Sequence, residues 1–115
     1  MKSTRSVSKK MESRVAKALG GRRQPNSGAT LFAKGDVIHP EFLIECKTSM
    51  TEKQSVSIKR EWIDKLREEA FAVNRPYYAL AFNFGLEAGG DFYIINEDLF
   101  NRLIEAIQAE ENQNG

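Results

Sequence analysis

Asp36, Glu45 and Lys47 are the residues of this chain whose types and spacing could carry out chemistry. They lie in "GDVIHPEFLIECKTS", an otherwise apolar stretch. Side chains alternate along a strand, so Leu43, Glu45 and Lys47 share one face while Phe42, Ile44 and Cys46 share the other. A tight turn at His39-Pro40-Glu41 makes this stretch a hairpin and brings Asp36 near the height of Glu45. Two carboxylates that close repel unless a cation sits between them. Hard cations such as Mg2+ accept carboxylate oxygens and keep several waters, leaving room for a phosphate. A water activated there, beside the Lys47 ammonium, is equipped to attack a phosphodiester. The residues alone also allow a second explanation: an edge strand that ends in charges resists aggregation.

The elements that must position these groups fit within one domain of 115 residues, long enough to bury a core without staples. Apolar residues at 41% and charged residues at 29% are the balance of a soluble globular chain. No apolar run is long enough to span a bilayer, and "MKSTRSVSKK" is basic without an apolar segment behind it. The single cysteine, Cys46, forbids a disulfide framework within the chain. An intracellular, cytoplasmic setting with no membrane partner is therefore expected.

Charge is unevenly distributed. Residues 1–60 hold 13 Lys and Arg against 5 Asp and Glu, whereas residues 61–115 hold 4 against 11. A basic half of this kind attracts a polyanion such as nucleic acid, or is simply solvated. Lys9, Lys10, Arg22 and Arg23 are the candidates for phosphate contacts, which position DNA without reading its sequence.

Residues 1–5 and 110–115 read as disordered tails. Val7, Met11, Val15, Ala18 and Leu19 recur at spacings of three and four, predicting a helix over 6–19 that Gly20-Gly21 ends. "RRQPNSGAT" reads as a loop. "TLFAKGDVI" and "EFLIECKT" read as strands. A second helix is expected over 57–73, with Ile58, Trp62, Ile63, Leu66, Ala70 and Val73 inward. "YYALAFNF" and "DFYIIN" are further strands, separated by a turn at "GLEAGG". A last helix starts near Asn96, its cap, with Glu97 and Asp98 in the first turn. The expected order is α-β-β-β-α-β-β-α, the first strand being short: an α/β domain with a mixed sheet flanked by helices.

Asp36, followed by Glu45-Cys46-Lys47 at the end of the next strand, resembles the PD-(D/E)xK nuclease superfamily, whose domains have the restriction-endonuclease-like fold. The arrangement is most similar to the archaeal and phage Holliday junction resolvases, which begin with a helix carrying a glutamate and pass through a Ser-Gly loop into the hairpin. Here "KKMESRVAKALGG" supplies Glu12 and "RQPNSGAT" supplies Ser27, and the similarity runs from about Val7 to Ile107. Gly35 stands where a proline is common before the first acid.

That resemblance implies a Mg2+-dependent endonuclease, with Mn2+ able to substitute, acting on four-way junctions in DNA recombination. It implies that Asp36, Glu45 and the Cys46 backbone carbonyl ligate the metal, that Lys47 positions or polarises the attacking water, and that Glu12 completes the site directly or through water. Ser27 would contact the phosphate beside the scissile bond, and Thr48 and Ser49 would hydrogen-bond phosphate. It also implies a homodimer, whose two sites make paired nicks, and no small-molecule cofactor. A nuclease for flaps, ends or single strands, and a non-catalytic DNA-binding protein on the same fold, remain the alternatives.

The remaining residues have plainer readings. Glu12, taken alone among its lysines, is a solvated charge. His39 is a lone turn histidine with no partners for a zinc site. Cys46 faces the core as an inert thiol. Trp62, Tyr77 and Tyr78 are able to stack on bases, although Trp62 on its helix reads as core. "GLEAGG" lacks the lysine and strand-to-helix setting of a phosphate loop.

Overall fold

The computed structural model describes residues 4–24, 36–86 and 89–114. The elements run α1 (Thr4–Leu19), β1 (Arg22–Arg23), β2 (Val37–Ile38), β3 (Phe42–Lys47), α2 (Arg60–Ala72), β4 (Tyr77–Phe82), β5 (Phe92–Ile94) and α3 (Glu97–Asn114). This is the expected order. The five strands form one mixed sheet in the order β1-β2-β3-β4-β5. β3 and β4 are parallel and the other neighbours antiparallel. A parallel pair cannot be closed by a hairpin, so the chain crosses between β3 and β4 through α2.

Each face of the sheet has its own core. On one, Met11, Val15 and Ala16 of α1 pack on Val37, Ile44, Ala79 and Ala81. On the other, Leu66 and Ala70 of α2 pack on Ile38, Leu43 and Leu80. β3 is thus covered twice: neighbouring Leu43 and Ile44 are both fully buried. It lies between β2 and β4 and is not an edge. That removes the anti-aggregation explanation for Glu45 and Lys47, whose charges stand at the end of an internal strand.

Several boundaries differ from the sequence expectation. Arg22–Arg23, read as loop, form a short strand against Val37–Ile38. Residues 25–35, including Ser27 and most of the expected strand "TLFAKGDVI", lie outside the described residues. The inner face of α1 uses Ala16, and Ala18 and Leu19 are exposed. α2 begins at Arg60 rather than Ser57, and Ile58 is 37% exposed. The preceding connector is tied elsewhere: the Lys53 N–H donates to the Phe84 carbonyl at 2.7 Å, and the Leu86 N–H to the Ser49 carbonyl at 3.4 Å. Gly85 permits this close crossing. At φ 92° it holds a left-handed conformation, and a Cβ there would strike the Thr51 carbonyl.

At the other end, the Asn96 side chain accepts the Leu99 N–H at 3.0 Å and caps α3 as expected. α3 continues to Asn114, through polar residues read from the sequence as a tail. No helix among the described residues is long and apolar enough to cross a membrane.

Candidate functional site

The antiparallel register pairs Val37 with Ile44, which sets Asp36 opposite Glu45 one step further along. Two hydrogen bonds hold Asp36 there. Its N–H donates to the Ile44 carbonyl at 3.0 Å, and its Oδ2 accepts the Cys46 N–H at 2.7 Å. The carboxylate therefore continues the ladder where the regular strand stops, aimed along β3 at the Glu45–Lys47 end.

Glu45 shares a face with Leu43 and Lys47, under α2. Burial raises its pKa from the ordinary 4.5 to about 7, and the Asp36 charge adds to the rise while Lys47 opposes it. Lys47 Nζ lies 3.7 Å from Glu45 Oε1 and 4.4 Å from the centre of the Trp62 ring. The ammonium is thus held between a carboxylate and an aromatic face. Trp62, read from sequence as core, is half-buried: it packs against the α2 cluster and also forms a wall of the site. A cavity of about 390 Å³ opens beside this group, lined by Glu45, Lys47 and Trp62 and by Glu61, Lys65 and Glu69 of α2.

Glu12 approaches from α1. Burial raises its pKa, and the Asp36 charge raises it further. Its nearest cation is Arg23, whose Nε lies 3.4 Å from Oε1. Arg23, a phosphate-contact candidate in the sequence, is here a partner of Glu12. No group of three or more His, Cys, Asp and Glu side chains among the described residues gathers closely enough to hold a metal. Glu12 is therefore near Asp36 without joining Asp36 and Glu45 in one compact ligand set.

Lys9, Lys10 and Arg22 are exposed on the α1–β1 side. Cys46 is a free, partly buried thiol packed against the α1 cluster. Burial raises its pKa, and the nearby Asp36, Glu12, Glu45 and Asp91 charges raise it further, as expected of an inert thiol. His39 is a turn residue: its Nδ1 accepts the Glu41 N–H at 3.0 Å and its ring packs edge-on against Phe42.

Thr48 and Ser49 follow Lys47 directly. The Ser49 hydroxyl donates to the Thr51 carbonyl. The Thr48 hydroxyl donates to Asn83 Oδ1 at 2.7 Å, and this bond belongs to a network that sequence reading missed. Asn83 is 3% exposed, the one buried polar side chain among the described residues. Its Oδ1 also accepts the Gly85 N–H at 2.9 Å, and its Nδ2 donates to Asp91 Oδ1 at 3.1 Å. Asp91 in turn accepts from Arg14 Nε and Nη2 at 2.7 and 2.9 Å. Those hydrogen bonds hold its carboxyl below the usual range, against the opposing effect of burial. The chain Arg14–Asp91–Asn83–Thr48 ties α1 and β5 to the segment just after Lys47. Its signal in the sequence was the polar Asn83 inside the apolar "YYALAFNF".

No family model, curated protein or solved structure matches the chain.

Proposed function

We propose that this protein is a divalent-metal-dependent deoxyribonuclease that hydrolyses phosphodiester bonds in branched DNA, with four-way junctions as substrate, and that it belongs to the restriction-endonuclease-like fold. One observation carries the reading: Asp36 faces Glu45 across the β2–β3 ladder with Lys47 on the same face, at the open end of a doubly covered strand. A buried carboxylate raised to about 7 beside a second carboxylate costs stability. Such a cost is expected where a cation completes the site.

The donor set suits Mg2+, or Mn2+ in its place. Such an ion takes one or two protein carboxylates and fills its remaining positions with carbonyl oxygen and water. Asp36, Glu45 and the Cys46 carbonyl would hold it, with Glu12 acting through water because it pairs with Arg23. Bound there, the ion would supply acidification of a water and neutralisation of phosphate charge. Asp36, fixed by the Cys46 N–H, would be a positioned ligand for it. Lys47, steadied by Trp62, holds its ammonium at the charge that grows on phosphate. Lys9, Lys10 and Arg22 would carry the duplex arms on the basic half; the Thr48 and Ser49 hydroxyls, which donate to Asn83 and the Thr51 carbonyl, would reach the adjoining phosphate only by exchanging those bonds. Ser27 keeps the role implied by resemblance.

Paired nicks require two sites, and α3 supplies a face for a second copy. Phe100, Leu103, Ile104 and Ile107 form one stripe at i, i+3, i+4 and i+7 and are 55, 45, 38 and 52% exposed. Leu99 alone of α3 is buried. The stripe continues into an apolar groove of about 330 Å³ between Leu19, Tyr93 and Leu103.

The test is cleavage of a labelled four-way junction beside a flap, a single strand and a linear duplex of matching sequence, with Mg2+ or chelator. Asp36→Asn, Glu45→Gln and Lys47→Ala serve as variants. Paired Mg2+-dependent nicks in the junction, absent in all three variants, are expected. Cleavage of the flap or single strand alone transfers the site to that substrate. Binding without cleavage under any metal overturns the enzyme.

A further inference from the structure

Lys47 and Trp62 line two cavities of different character. The one described above sets three acids, Glu45, Glu61 and Glu69, against Lys47 and Lys65. The other, of about 410 Å³, lies on the connector side and has no acidic residue in its lining. Its lining includes Lys47, Thr48, Lys53, Ser55, Ser57 and Trp62. One side of the wall carries both signs of charge and the other only positive charge.

This second groove is held open by fixed parts. The connector carrying Lys53 is bonded to the end of β4 through Phe84, and Ser49 to Leu86, with Gly85 allowing the close crossing. Thr48 is fixed by Asn83. Lys59 Nζ lies 5.8 Å from the Trp62 ring, so cations attend the indole from more than one residue. A half-buried indole ringed by lysines and hydroxyls offers a surface for an aromatic, anionic ligand.

We propose that this groove binds an unpaired nucleotide segment of the substrate strand, a phosphate lying on Lys53 and the Ser55 and Ser57 hydroxyls and a base against Trp62. A continuous duplex keeps its base faces stacked inside and presents none to an indole. A strand splayed at a branch point presents one. The proposal rests on the nuclease reading only for what lies next to the segment, since Lys47 lines both the groove and the cavity beside Glu45. Binding in the groove needs no metal and no cleavage.

Trp62 is the only tryptophan of the chain, so its emission reports ligands on either side of it, and Lys53, which lines the groove alone, assigns the signal to the groove. The full chain would be titrated in chelator with a short oligothymidylate, a blunt duplex of equal length and inorganic polyphosphate. Binding is followed in parallel by anisotropy of labelled oligonucleotide. Oligothymidylate is expected to quench Trp62 saturably, with the duplex and polyphosphate leaving the emission near its starting value. Lys53→Ala, at an exposed side chain, is expected to weaken oligothymidylate binding about three- to tenfold and to lower the salt slope by about 0.7. Oligothymidylate binding without quenching, or with unchanged affinity in Lys53→Ala, overturns the proposal, as does a failure to bind at all. Equal quenching by polyphosphate reduces the groove to a plain anion site and overturns it too. Metal-dependent cleavage with a silent Trp62 sinks the groove alone, whereas quenching without cleavage under any metal sinks the nuclease alone.

Discussion

Asp36 Oδ2 accepts the Cys46 N–H at 2.7 Å, so the first acid of the site is fixed by the backbone of the residue between Glu45 and Lys47. The hydrogen bond needs an acceptor and no charge, which separates the structural role of Asp36 from its electrostatic one. Asn keeps an acceptor oxygen of the same reach.

Asp36→Asn is accordingly expected to retain the native fold and lose metal-dependent cleavage. It is also expected to lower the pKa of Glu45 from about 7, while leaving it above 4.5, since burial is the larger cause of the rise and the Asp36 charge the second. Carboxyl carbon NMR titration of the variant against the parent reads the shift. An unchanged Glu45 titration would show that the two carboxylates do not face each other.

Glu45 makes the metal-free protein sensitive to pH. Its folded pKa, about 7, lies above the ordinary 4.5, so the folded state binds the proton more tightly than the unfolded chain does. The resulting stabilisation is full below about pH 4.5 and is lost as pH rises to about 7. Thermal melts in chelator should show this decline, and Glu45→Gln should flatten it. Asp91 acts in the opposite sense, because its folded pKa is depressed below 3.8 and its contribution is lost only as pH falls through that lower range.

Asn83 holds four partners in a nearly water-free position. Asn83→Ala strips acceptors from Thr48 and the Gly85 N–H and a donor from Asp91, at a cost of about 2–3 kcal/mol. Urea unfolding measures it. A loss under about 0.5 kcal/mol, the range of ordinary surface substitutions, would mean that the network contributes little.

Ile104 and Ile107 are exposed in a single copy, so replacing either with Glu leaves the monomer core intact. Light scattering after gel filtration is expected to find the parent chain dimeric and Ile107→Glu monomeric, with unchanged circular dichroism per residue. A monomeric parent at micromolar concentration, or a variant that still dimerises, removes α3 from the interface.

The local elements were legible in the sequence for plain reasons. A 3.6-residue apolar period marked α1 and α2, Asn96 with Glu97 and Asp98 marked the start of α3, and alternation within "FLIECK" put Glu45 and Lys47 on one face. Local chemistry decides such features, because caps and strand faces depend on neighbours within a few residues. The hairpin turn then set Asp36 opposite Glu45, again over a short span of chain.

What only the tertiary structure decided depends on contacts between distant segments. Pairing with β4 made β3 an internal strand, so its charged end is not edge decoration. Burial under α2 set the Glu45 pKa, and Arg23 on β1 claimed Glu12. The Lys53 N–H bond to the Phe84 carbonyl ties the connector to the chain beyond β4, and α2 begins only at Arg60. None of these follows from spacing along the chain, because desolvation and pairing are properties of what packs together after folding.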